Sequence, residues 1–268
     1  MIASFRMYNA VPRAASAWRA LFERVFADAQ LDIRIVEHAA PAPLEALWSD
    51  PQLACGFMCG WPFIRSQVAM QVIAAPVPSL PRYGHQPRYC SEFLVRESSG
   101  WTTLEQAFGQ RFGWTTLNSQ SGFNAPRAHL ASFLLGGRRT LFRDVEGPLG
   151  PPLHALEQLR AREVDLIALD SYLLDLSRHH EPGLLAGIRC VATTPWAPIP
   201  LLVASPSIGG SVVMRLRDQL VGIHRDASYA PLLADVLLER FVVPDRSAYR
   251  ALEAMADVAV ARGYEEIR

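Results

Sequence analysis

The residues of this 268-residue chain best placed to do chemistry lie in one run, Thr115 to Leu130 (TTLNSQSGFNAPRAHL). There a predicted strand ends in polar residues, passes a glycine and starts a helix. Ser119 and Ser121 offer hydroxyls, and Gly122 lets a ligand approach the main chain. The first N–H groups of a helix have no intrahelical partner and point at the same spot, which makes the run an anion cradle. A helix start contributes up to ~2 kcal/mol to a partly buried negative group, and each hydrogen bond to a charge about 1.5 to 3 kcal/mol. Micromolar affinity needs about 8 kcal/mol, so several donors must converge. The same run also reads as an ordinary Ser/Asn helix cap with nothing bound.

Other reactive residue types form no comparable constellation. Cys55, Cys59, Cys90 and Cys190 lack the paired spacing of a zinc site and sit in apolar, strand-like contexts. On an extended strand Cys55 and Cys59 would be about 13 Å apart, too far for a disulfide, so all four are expected to be small buried hydrophobes. The seven histidines do not cluster at metal spacing; His179 and His180, followed by Glu181 and Pro182, are expected in solvent. His129 and His154 fall in or near predicted helices without a nucleophile motif. There is no Gly-x-Ser-x-Gly elbow, P-loop or dinucleotide fingerprint, so no catalytic residue, cofactor or metal is expected.

Composition narrows the partners. Half of the residues are hydrophobic and 19% charged, and Lys plus Arg balance Asp plus Glu at 26 each, which leaves no net field to hold a nucleic acid. The most apolar stretch, Val68 to Leu80, is interrupted by Gln71, Pro76 and Pro78 and cannot span a bilayer. Arg6, Tyr8 and Asn9 interrupt the first eleven residues, so no export signal is read and the chain as written is expected in the cytoplasm.

Strand-like and helix-like segments alternate, the pattern of an α/β protein with a largely parallel sheet. Ile2 to Tyr8, Leu31 to Val36, Leu53 to Cys59, Val68 to Ala74 and Ser91 to Val95 read as strands. A helix starts at Pro12, where Trp18, Leu21, Phe22, Val25 and Phe26 form one apolar stripe, and a short helix covers Pro43 to Trp48. Beyond a capping box at Thr102 to Glu105, strands are expected at Arg111 to Leu117, Leu141 to Val145, Val164 to Asp170, Ile188 to Thr193 and Pro200 to Ala204. Helices are expected at Gly122 to Leu135, Leu153 to Arg162, Ser211 to Ile223, Tyr229 to Phe241 and Ser247 to Arg262. The length suits two lobes.

Several short strings resemble the phosphate/phosphite/phosphonate solute-binding family of ABC transporters. Asn118 to Asn124 (NSQSGFN) is similar to its Ser-Gly ligand loop, and Cys59-Gly60-Trp61-Pro62 to its Cys-Gly-Tyr-Pro turn. Pro87-Arg88-Tyr89-Cys90-Ser91 resembles its approach to the hinge, and Glu163 to Asp170 (EVDLIALD) one of its strands. The order of the strings covers roughly residues 1 to 205. The resemblance implies a two-lobed, periplasmic-binding-protein-like (type II) α/β fold with a ligand cleft between lobes. Lobe I would comprise 1–94 plus 202–268 and lobe II 95–201, with hinge strands near 91–97 and 192–203. It implies ligand contacts at Tyr8, Trp61, Ser91, Ser119, Ser121, Gly122, Asn124 and Asp170, a small anionic ligand, an ABC permease as partner and a periplasmic location.

One departure bears on the ligand. Where the family carries Thr-Gly-Ser-His, this chain has Gly147-Pro148-Leu149-Gly150-Pro151-Pro152. Losing two charged hydrogen bonds costs about 3 to 6 kcal/mol, so a carboxylate or a ligand with an apolar body, beside Trp61, Phe123 and Trp196, is expected to suit the site better than phosphonate. The rival expectations are a cytoplasmic enzyme on the same fold, of the menaquinone-pathway kind, with Asp170 as its acid or base, and a soluble ligand sensor. Asp170 also reads as a helix cap before Tyr172.

Overall fold

The computed structural model describes residues 1–134 and 139–268. The chain folds as two compact units. Unit 1 comprises Met1–Arg88, Asp175–Glu181 and Pro198–Ala248; unit 2 comprises Tyr89–Leu174, Pro182–Ala197 and Tyr249–Arg268. Tyr249–Arg268 therefore folds with unit 2, where the expectation gave all of 202–268 to lobe I. The cause is burial: Ala259, Tyr264 and Ile267 join Phe93, Phe112 and Leu166 in one apolar cluster.

Unit 1 is built on a six-stranded sheet in the order Leu238–Val242, Gln71–Pro78, Leu201–Ala204, Leu53–Met58, Ile2–Ser4, Arg34–Ile35. Ile2–Ser4 runs parallel to both of its neighbours, but Leu201–Ala204 enters antiparallel to both of its own, and Leu238–Val242 is antiparallel to Gln71–Pro78. The sheet is thus mixed rather than largely parallel, because the chain comes back from unit 2 into its middle. The helix Pro12–Asp28 starts on proline as predicted, proline being suited to a first turn whose N–H has no partner. Its apolar stripe packs on the sheet through Phe22 on Phe5 (ring centroids 4.0 Å), Trp18 on Phe57 (5.1 Å) and Phe22 on Phe241 (6.2 Å).

Two predicted elements of unit 1 take another form. The expected strand Ile2 to Tyr8 ends at Ser4, and Arg6–Tyr8 turns as a 3-10 helix that drops Tyr8 onto Phe57 at 4.9 Å. The expected helix Tyr229 to Phe241 stops at Asp235; Leu237 adopts φ +52° and Leu238–Val242 becomes an edge strand. Gln71–Pro78 also holds two prolines inside a strand, although proline cannot donate to the ladder.

Unit 2 carries a five-stranded sheet in the order Ile188–Thr193, Ser91–Arg96, Leu166–Asp170, Arg111–Gly113, Asp144–Glu146. The last three run parallel, and Ser91–Arg96 is antiparallel to Leu166–Asp170, with Ser91 opposite Asp170. The predicted strand Arg111 to Leu117 ends at Gly113, after which Trp114 and Thr115 bond instead to the 146–150 segment. The capping box closes one residue later than read, on Thr103 and Gln106, over the 3-10 turn Leu104–Ala107. The helix expected from Gly122 starts as a π-turn, Gln120–Asn124, and continues as Ala125–Leu130 and a 3-10 turn, Ala131–Phe133; Leu135 lies outside the described residues. A third sheet pairs Arg88–Tyr89 with Ala197–Pro198.

Cys55, Cys59 and Cys90 are buried free thiols, as expected, and burial pushes the Cys55 thiol up. Cys190 is exposed, because its strand forms the edge of the unit 2 sheet. His179 is exposed, while His180 lies against the Asp235 carbonyl at 2.7 Å. Among the described residues no group of His, Cys, Asp and Glu could hold a metal, and no helix is long and apolar enough to cross a membrane.

Candidate ligand-binding rim

In open α/β sheets ligands collect where parallel strands end at their carboxyl termini. In unit 2 that rim is made by Asp170 at the end of its strand, by Trp114 and Thr115 beyond Gly113, and by Ser91 at the start of the antiparallel neighbour. Adjacent strands lie about 4.8 Å apart, so these groups share one small area.

Ser91 is 1% exposed, and its hydroxyl has no hydrogen-bond partner among the described residues. Its main chain is fully held: the N–H donates to Thr194 Oγ1 at 2.9 Å and the carbonyl accepts from Thr194 N–H at 3.0 Å. Asp170, 7% exposed, accepts from the N–H groups of Tyr172 (2.7 Å) and Leu173 (3.0 Å) on Oδ1. It therefore caps the helix Ser171–His180, the structural role that the sequence also allowed.

The predicted helix start forms at Gln120, and its side chains serve the fold where the expectation gave them to a ligand. Ser119 caps the helix, its Oγ accepting from Gly122 N–H at 2.9 Å. Gly122 is required, because a Cβ there would lie 2.0 Å from Thr115 Oγ1; the open space over its Cα belongs to Thr115. Asn124 is fully buried and engaged on both ends of its amide: Nδ2 donates to Gln120 Oε1 (2.8 Å) and the Leu252 carbonyl (3.0 Å), and Oδ1 accepts from Arg127 (3.1 Å). It fastens the helix to the C-terminal segment. Ser121 is half-buried and its hydroxyl bonds to none of the described residues.

The cap at Ser119 yields a direct expectation. Ser119→Ala should remove about 1 kcal/mol of stability, read as a fall of about 2 to 4 °C in the unfolding midpoint. An unchanged midpoint would remove Ser119 from the capping role.

Tyr8 and Trp61 belong to unit 1. Tyr8 is 1% exposed, within the aromatic core, and Trp61 carries the Arg65 guanidinium over its ring at 4.7 Å. Sequence reasoning passed over Thr115 and Asn9. Thr115 Oγ1 and Asn9 Oδ1 are both buried with no hydrogen-bond partner among the described residues. Asn9 carried a signal of position, a polar residue directly after the predicted strand Ile2 to Tyr8, whereas Thr115 lay inside the predicted strand Arg111 to Leu117 and stands two places beyond its observed end at Gly113.

Two α/β units, each on a mixed sheet, define the class: a two-lobed, periplasmic-binding-protein-like fold of type II. A binding-protein component of an ABC phosphonate transporter from Pseudomonas aeruginosa superposes with a TM-score of 0.80 at 16% identity, over 98% of this chain and 88% of that one. PhnD1 from Prochlorococcus marinus, in complex with methylphosphonate, gives 0.74 at 16% identity over 96% of each chain. A Xanthomonas citri protein bound to ATP gives 0.64 at 16% identity, over 99% of this chain and 98% of that one. The chain belongs to the family of ABC transporter, phosphonate, periplasmic substrate-binding proteins, whose pattern matches residues 13–249. No curated protein sequence matches it.

Proposed function

We propose that this chain is the substrate-binding component of an ABC transporter and takes a small oxyanion at the unit 2 rim, delivering it to a permease. The observation that carries this reading is the Ser91 hydroxyl, buried and unpartnered among the described residues, opposite Asp170 in the sheet register. An unmade hydrogen bond of a buried hydroxyl costs about 1 to 3 kcal/mol, a cost that a ligand oxygen would remove. Ser121 adds a second hydroxyl, while Ser119, Gly122 and Asn124 hold the helix start in place. The family membership and the methylphosphonate bound by PhnD1 point the same way. The rival readings, an enzyme on this fold and a soluble sensor, gain no supporting observation.

The test is isothermal titration and thermal unfolding with methylphosphonate, inorganic phosphate, acetate and benzoate. A ligand that binds only the folded state, at a hundred times its Kd, adds about 2.7 kcal/mol, so at least one probe should raise the midpoint. Ser91→Ala should weaken that probe about tenfold, equivalent to about 1.4 kcal/mol. A panel with no response, or a Ser91→Ala variant that binds like the parent, sinks the proposal.

A further inference from the structure

We infer that Thr115 is a ligand contact and that the rim accepts one carboxylate-sized, singly charged group in preference to a phosphonate dianion; this rests on the reading of unit 2 as the binding half. Thr115 is 6% exposed and its Oγ1 has no hydrogen-bond partner among the described residues. Its position is fixed from both sides. The N–H donates to the Gly122 carbonyl at 3.4 Å, the carbonyl accepts from Gly150 N–H at 2.9 Å, and the side chain packs on Gly122 Cα. A valine would fill the same space without burying a hydroxyl, so the fold itself gives no reason for threonine. A ligand oxygen does.

The same contacts limit what the ligand can be. In the segment Gly147 to Pro152, Leu149 N–H donates to the Trp114 carbonyl and Gly150 N–H to the Thr115 carbonyl, both at 2.9 Å. Pro148, Pro151 and Pro152 have no N–H, and the segment carries no hydroxyl or imidazole. It is closed by its own fold and offers a second anionic oxygen little. All 26 basic residues of the chain are arginines, and the one on this helix, Arg127, is turned to Asn124 Oδ1 and the Glu265 carbonyl. The donors gathered at the rim are therefore neutral hydroxyls, beside the Asp170 carboxyl. Such a set suits a charge of one, because a second charge would have to be desolvated there and, among the described residues, no cation is placed to meet it.

Titration of the wild-type chain with acetate, benzoate and methylphosphonate at pH 8, with Thr115→Val and Thr115→Ser alongside, tests both halves. We expect a carboxylate to bind at least tenfold tighter than methylphosphonate. Thr115→Val should weaken that carboxylate about tenfold with an unfolding midpoint equal to or above the parent's, and Thr115→Ser should restore affinity. A merely structural threonine would leave affinity unchanged in Thr115→Val, which overturns the contact. Methylphosphonate binding as tightly as the carboxylates overturns the charge preference while leaving the anion reading intact. Silence from every probe removes the anion reading and this inference with it.

Discussion

Gly122→Ala is expected to lower the unfolding midpoint by about 6 to 12 °C and to abolish ligand binding. The added Cβ would sit 2.0 Å from Thr115 Oγ1 and 2.9 Å from both Thr115 Cβ and Cγ2. Overpacking ordinarily costs about 1 to 3 kcal/mol. Here the upper end applies, because Thr115 cannot retreat without pulling on Gly150, whose N–H it holds, and on the cap that Ser119 makes to Gly122. At about 2 to 4 °C per kcal/mol for a chain of this length, the midpoint shift follows. Combining Gly122→Ala with Thr115→Ala removes Oγ1 and Cγ2 from the collision and should recover part of the loss. A single variant that melts within about 2 °C of the parent would show that Thr115 does not occupy this space.

Asp165→Asn should cost about 3 kcal/mol, because breaking a buried ion pair from one side leaves the opposite charge uncompensated. Asp165 is 7% exposed and holds two arginines, Arg96 Nη2 donating at 2.6 Å and Arg111 Nε at 3.0 Å. Burial alone would raise its carboxyl, but the hydrogen bonds from Arg111 and Arg96 outweigh burial and hold it below the ordinary carboxylate range. A depressed folded pKa means that the stabilisation is present above the unfolded value of about 3.9 and disappears as the pH falls through the folded value. Parent and variant should therefore differ by a constant amount from neutrality down to about pH 5 and converge in stronger acid. Midpoints measured across that range check the sign. A gap that widened as the pH fell would contradict the assignment.

Local signals were legible where the physics is local. Pro12 with its apolar stripe placed the first helix, the Ser-rich run after Thr115 placed a helix start, and Leu53 to Cys59 read as a buried strand, which ends one residue earlier at Met58. What failed depended on partners distant in sequence. The antiparallel insertion of Leu201–Ala204 between Leu53–Met58 and Gln71–Pro78 leaves no mark in any of the three segments. Leu238–Val242 carries the residues of either a helix or an edge strand, and pairing with Gln71–Pro78 decided it. At the rim, residue types were legible and their duties were not. Asn124 looked like a ligand donor until the Leu252 carbonyl, far along the chain, claimed its amide. Thr115 read as part of a strand, whereas Gly122 and Gly150 pin it beyond the strand end with a hydroxyl that meets no partner among the described residues.

The return of Tyr249–Arg268 into unit 2 has a consequence for synthesis. Leu141 N–H donates to the Arg268 carbonyl, Arg127 to that of Glu265, and the amide of Asn124 to that of Leu252. Protein domains usually mature on the ribosome in the order in which they emerge. This body cannot: its helix and core wait for acceptors 128 and 138 residues further along the chain, so the intervening Pro198–Ala248 of unit 1 is synthesised before the proposed rim takes its final form.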